Sequence, residues 1–184
     1  EDFRRIPKSA RGQFSTELRK AIRDIRRRQA WISEWREDIG EPPVIKRRIG
    51  VASVGDDVAQ LASRVRNYLG LNTTLQQAWS DAGEARTFFR ASMERRGVLT
   101  LQGSGVALKE MRGFCLLDDW APVIALNSRD SNNGKVFTLI HEFVHLLLAE
   151  EGVSDLDMRG GPVNADPVEV FCNAVTGRTL VPDA

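Results

Sequence analysis

Apolar residues recur at helical spacing along most of this chain and at strand length in its middle. Between Ser15 and Ile39 they fall at Leu18, Ile22, Ile25, Ile32, Trp35 and Ile39, which predicts one long helix with a single apolar face. Gly40-Glu41-Pro42-Pro43 ends it, and Val44–Val51 reads as a strand. Asp56 or Asp57 caps a second helix carrying Val58, Leu61, Ala62, Val65 and Leu69 and stopping at Gly70. A third helix, Asp81–Arg96, presents Ala85, Phe88, Phe89 and Met93 to a core and is terminated by Gly97. The pattern then shortens to three strand-length runs, Val98–Gln102, Phe114–Leu117 and Pro122–Leu126, with Asp118-Asp119 turning the chain between the last two. Lys135–Ala149 is apolar on nearly every face, as expected of a buried helix. Asp166-Pro167-Val168-Glu169 reads as a helix start, with Asp at the N-cap and Pro first in the helix, leading through Val170, Phe171, Ala174 and Val175. Residues 1–14, with Pro7 and Gly12, read as irregular.

These elements predict an α+β fold: helices packed on a small antiparallel or mixed sheet, preceded by a long N-terminal helix. Pro122 donates no hydrogen bond, so its strand is expected at a sheet edge. An edge there would be open to an extended substrate by strand addition.

Composition narrows the class. With 184 residues, 42% hydrophobic and 28% charged, the chain suits one domain, or one domain with a helical extension. No apolar run approaches the length of a membrane span, and Glu1-Asp2-Phe3-Arg4-Arg5 is charged rather than signal-like. The chain opens without Met, so an excised fragment with a further domain upstream is the expectation. Cys115 and Cys172 read as small buried thiols, in keeping with a reducing, cytoplasmic setting. Net charge is only +1, but residues 1–50 hold 14 Lys/Arg against 8 Asp/Glu and the remainder 12 against 17. Arg19, Lys20, Arg23, Arg26, Arg27 and Arg28 supply much of that excess; they read first as a solvated helix face, and second as a connector lying near DNA.

The chemistry concentrates in His141-Glu142-Phe143-Val144-His145, which uses the only two histidines present. Residues four apart on a helix share a face, so both imidazoles can grip one metal ion while Glu142 serves as general base. That is the pattern of a zinc metallopeptidase, and a chance occurrence is roughly one in a few hundred chains of this size. Buried His and Glu in so apolar a helix would be costly without partners, and a metal supplies them. Such sites take three protein ligands. Glu150 and Glu151 are rotated off the metal face, and Asp155 and Asp157 sit in a Gly-containing loop. Cys172 is a remote option. Glu169 is the better choice, yet local sequence leaves it balanced between a metal ligand and the closing glutamate of a helix-capping box. An oxyanion stabiliser is not evident: Arg112 and Asn127 are the options, Tyr68 is remote in sequence, and Asn173 could orient Glu169.

Three blocks extend the pattern: Arg112-Gly113-Phe114, then Asp118 to Ser128, then Phe137 to Leu148. With Glu169-Val170-Phe171-Cys172-Asn173-Ala174 and Leu180-Val181-Pro182, they resemble the ImmA/IrrE family of metallo-endopeptidases from about residue 84 to the end. The resemblance implies a minimal zincin-like metallopeptidase fold, with zinc held by His141, His145 and Glu169 and with Glu142 as general base. The chain is expected to divide into an extension with a basic helix, 1–50, and a zinc metallopeptidase domain, 51–184. The resemblance further implies a bacterial or phage enzyme that cleaves a helix-turn-helix repressor in stress response or mobile-element control, with DNA contact through an upstream domain. Trp120 stands where some relatives have Tyr, which removes a phenolic donor. The competing expectation is a non-catalytic metal-binding transcriptional regulator.

Overall fold

The computed structural model describes residues 14–44, 52–148, 166–182 and the backbone of 152–154. Residues 1–13, most of the strand expected at Val44–Val51, Glu150, Glu151, Asp155 and Asp157 lie outside the described residues.

The long helix forms as α1, Thr16–Asp38, capped by the Ser15 hydroxyl accepting from the Leu18 amide at 3.1 Å. Leu18, Ile22 and Ile25 are buried as expected. The apolar face does not continue to the end, however: Trp35 and Ile39 are 51% and 54% exposed, as is Trp31 at 69%. The inward-facing stripe keeps helical register through buried Gln29 and half-buried Arg36 instead, one step round from Trp35. Gln29 Nε2 donates to the carbonyls of Leu116, Leu117 and Ala121, Ser33 Oγ donates to Asp118, and Arg36 Nη1 donates to Gly97 and Trp120 oxygens. The second half of α1 is thus held by polar bonds to a turn, which a hydrophobicity count cannot see.

Helix α2, Val58–Leu69, begins at an Asp57 cap and ends at Gly70, whose φ of 75° is the left-handed conformation that glycine tolerates. A single turn, α3 (Thr73–Gln77), follows, then α4 (Ala82–Glu94), capped by Asp81. Phe88 and Phe89 of α4 pack with Trp79 at centroid distances of 5.4–5.7 Å.

The sheet is β1 (Leu99–Gly103), β2 (Gly113–Leu116), β3 (Val123–Asn127) and β4 (Gly152–Ser154), in the order β1-β3-β2-β4. β1 runs parallel to β3, while β2 is antiparallel to both β3 and β4, so the sheet is mixed. The expectation that the Pro122 strand lies at an edge is overturned, because β3 is central. Pro122 immediately precedes the first paired residue; only its carbonyl is used, accepting from Leu99 at 2.8 Å, so its missing N–H leaves no gap in the ladder.

Helix α5, Asn132–Leu148, starts three residues before the predicted Lys135 and is buried from Lys135 to Leu147 except for Phe137. Helix α6, Pro167–Leu180, begins where predicted, its Asp166 carboxylate accepting from the Val168 amide at 2.9 Å. Alternation along the strands sorts the core into two layers. Phe114, Leu116, Val123 and Ala125 face α1, meeting Leu18, Ile22 and Ile25. Cys115, Ile124 and Leu126 face the opposite way, into the larger core built with α2, α4, α5 and α6. The fold is α+β, with the sheet clamped between α1 and the helix that carries both histidines.

Candidate metal centre

Four-residue spacing on α5 brings the two imidazoles together edge-on, with ring centroids 4.8 Å apart and Nε2 facing Nε2 at 3.1 Å. Helix α6 packs against α5 and brings Glu169 to the same point: its two carboxylate oxygens lie 3.1 Å from His141 Nε2 and 3.2 Å from His145 Nε2. The local ambiguity at Glu169 turns on where its carboxylate points. In a capping box the carboxylate would turn back to the N-cap amide; here both oxygens face the histidines of another helix. His141 and Glu142 are fully buried, His145 is 3% exposed, and the Glu169 side chain is about a third exposed.

These three side chains fit a divalent ion. Two ligand atoms about 2.0–2.1 Å from one tetrahedral zinc are separated by roughly 3.3 Å, and the observed triangle has that scale. Two imidazoles and one carboxylate supply borderline donors with a net charge of −1, and they are the group of ligating atoms that converges among the described residues.

Electrostatics point the same way. Burial works against a charged His145. Hydrogen bonds with Cys172 and Glu169, together with the Glu142 carboxylate, outweigh burial and raise the imidazole to about 10. Burial would raise Glu169, but hydrogen bonds from His141 and His145 hold it down at about 2. The metal-free site therefore gathers positive charge beside a firmly ionised carboxylate. Burial pushes the Cys172 thiol up; one turn past Glu169, it touches His145 but stands outside the three-donor group.

Helix α5 can hold this position because β2 opposes it with a glycine. A Cβ on Gly113 would lie 2.4 Å from Thr138 Cγ2, 2.9 Å from the Ala125 carbonyl and 3.6 Å from Glu142 Cγ. Sequence reading quoted Gly113 only as part of a motif; its steric role appears once α5 is laid on the sheet.

Other expectations fare differently. Asn127 is fully buried and braces a loop, donating to Val106 and Met111 carbonyls and accepting from the Arg129 amide. Arg112 pairs with Asp130 at 3.3 Å. Neither is brought to the histidines by any of these bonds. Asn173 makes no hydrogen bond to Glu169; its buried Oδ1 has no partner among the described residues. Tyr68 stacks on Phe143, and the Trp120 indole donates to the Glu41 carbonyl.

Residues 93–184, half of the chain, match the peptidase family described as the IrrE N-terminal-like domain, Peptidase_M78. No curated protein and no solved structure matches the chain. The matched stretch contains the whole sheet, α5 with its two histidines and α6 with Glu169. On that match, and with a metal-ready triad at its centre, the chain belongs to the Peptidase_M78 family of metallopeptidases.

Proposed function

We propose that the protein is a zinc-dependent endopeptidase acting on a protein partner, and that the partner is a helix-turn-helix transcriptional repressor. The convergence of His141, His145 and Glu169 beside Glu142 is the observation that carries the reading. A bound zinc ion supplies a Lewis acid for the scissile carbonyl and acidifies water. The residues do the rest. His141 and His145 would hold the ion through Nε2, with Glu169 closing the ligand set from α6. Glu142, one residue round the helix from His141, takes the proton of the attacking water on its carboxylate and delivers it to the leaving amine nitrogen. Burial of Glu142 keeps that proton from bulk water during transfer.

The repressor substrate, a role in stress response or mobile-element control, a bacterial cytoplasmic setting and DNA contact through an upstream domain rest on the resemblance to ImmA/IrrE proteins. Among the described residues no helix is long and apolar enough to cross a membrane. A second reading, a non-catalytic metal-binding regulator, is favoured by one observation: Arg112 and Asn127, the two options for steadying an oxyanion, bond to Asp130 and to loop carbonyls and are not brought to the histidines by those bonds.

Co-expression with helix-turn-helix repressors separates the two. The wild type should yield one discrete cleavage, and Glu142→Gln should retain stoichiometric metal by elemental analysis yet leave the repressor intact. Cleavage by Glu142→Gln at the wild-type rate removes Glu142 as the base. Absence of cleavage by a fully metallated wild type across the repressor set supports the regulator.

A further inference from the structure

A cavity of about 390 Å³ lies at the far end of α6 from the metal centre, between α2, α3 and the last turn of α6. Arg178 lines it nine residues on from Glu169, a separation of about 13 Å along the helix axis. The cavity therefore stands apart from the proposed peptidase site. Among its described lining residues are Arg66 and Arg178, the latter with a further interaction of its own, and none is acidic. Ser63, Asn67, Asn72 and Thr73 add hydroxyl and amide groups.

Arg66 is the telling residue. It is only 8% exposed, and buried guanidinium groups are ordinarily matched by a carboxylate. Its hydrogen bonds go to neutral acceptors, the Thr179 carbonyl at 2.6 Å and Gln76 Oε1 at 3.0 Å. Both are made by Nη1, which leaves the remainder of the planar fork to the cavity that the residue lines. The C-terminal end of α6 offsets part of the charge, but a helix terminus amounts to about half a unit of negative charge, against a full positive charge on Arg66. The neighbouring Leu180 carbonyl is already bonded by Gln76 Nε2. A cap for α6 thus accounts for one nitrogen of Arg66 and not for the charge or the open fork.

We propose that this cavity is a binding site for a small phosphate monoester. A guanidinium fork pairs bidentately with phosphate or carboxylate oxygens. The extra hydroxyl and amide groups favour the ligand with more oxygens to satisfy. The volume exceeds that of a bare ion, and Ala59, Ala62 and Leu71 give an organic body an apolar wall.

The test is calorimetric titration of the metal-loaded protein with inorganic phosphate, O-phosphoserine and succinate at constant ionic strength. Arg66→Gln removes a buried bond to α6 and can unfold the chain, so the deciding variants are Ser63→Glu, which sets a carboxylate at the exposed rim, and Arg178→Gln. O-phosphoserine should bind saturably and more tightly than inorganic phosphate, and both variants should weaken it tenfold or more while melting like wild type. Four results overturn the proposal: no saturable phosphate binding up to about 20 mM; affinity undiminished in Ser63→Glu, which puts the phosphate on the metal instead; affinity undiminished in Arg178→Gln; or succinate binding as tightly as O-phosphoserine.

Discussion

Replacing Gly113 by alanine tests whether α5 is held at its distance from the sheet by the absence of one methyl group. The new Cβ would sit 2.4 Å from Thr138 Cγ2 and 2.9 Å from the Ala125 carbonyl oxygen. Carbon atoms in contact are ordinarily about 3.5–4.0 Å apart, so the first overlap exceeds roughly 1 Å. Thr138 is fully buried on α5, and Ala125 is backbone in the central strand, so neither can swing aside as a surface side chain would. Overpacking of this kind costs about 1–3 kcal/mol, and the backbone contact places Gly113→Ala at about 2–3 kcal/mol. At about 2–4 °C per kcal/mol for a chain of this size, Tm should fall by roughly 4–12 °C. Denaturant unfolding at fixed zinc concentration measures the loss, since bound metal itself adds stability. Thr138→Ser deletes the nearer atom and leaves the carbonyl contact, so in the Gly113→Ala background it should restore about 1 kcal/mol, read as a double-mutant coupling. Relief of the overlap by lifting α5 moves Glu142 relative to Glu169 on α6, and a misplacement of about 1 Å can lower turnover about 100-fold. Stability of Gly113→Ala within 0.5 kcal/mol of wild type, or no coupling with Thr138→Ser, refutes the account.

The remaining predictions rest on other contacts. Gln29→Ala removes the one side-chain amide that serves the Leu116, Leu117 and Ala121 carbonyls, which should cost about 1–3 kcal/mol by denaturant unfolding; a neutral Gln29→Ala would show that water replaces it freely. In the metal-free protein His145 is raised to about 10, above its unfolded value near 6.5, so its contribution is complete below about pH 6.5 and is lost as pH rises through 10. Glu169 is lowered to about 2, so its contribution is present above about pH 4.3 and is lost as pH falls through 2. Zinc requires His145 without its Nε2 proton, so loading at pH 7 should release close to one proton from this residue. Calorimetry in buffers of different ionisation enthalpy reads that number, and zero release would contradict a charged His145.

The histidine pair was legible because it is a local property. Four residues make slightly more than one helical turn, so His141 and His145 share a face wherever α5 lies, and the apolar residues around them mark that helix as buried. Four helix starts were equally legible, where Ser15, Asp57, Asp81 and Asp166 cap amides two or three residues away; α5, which starts three residues before Lys135, was not. Strand order was not, because a strand's neighbours depend on segments far along the chain; Pro122 removes one N–H donor and says nothing of which strands flank β3. The face of α1 was half legible, as apolar spacing predicts burial only where the opposing surface is apolar, and beyond Ile25 that surface is a row of carbonyls.

The sequence by itself therefore determined two candidate ligands, a carboxylate adjacent to them and the helix that presents all three. Tertiary structure decided how that pair is completed. Glu169 lies 24 residues beyond His145, and whether its carboxylate turns to its own helix cap or to another helix depends on how α6 docks on α5. Docking in turn depends on α5 lying close against β2, which Gly113 permits by having no side chain. Periodicity fixes which residues share a face; only packing fixes what that face meets.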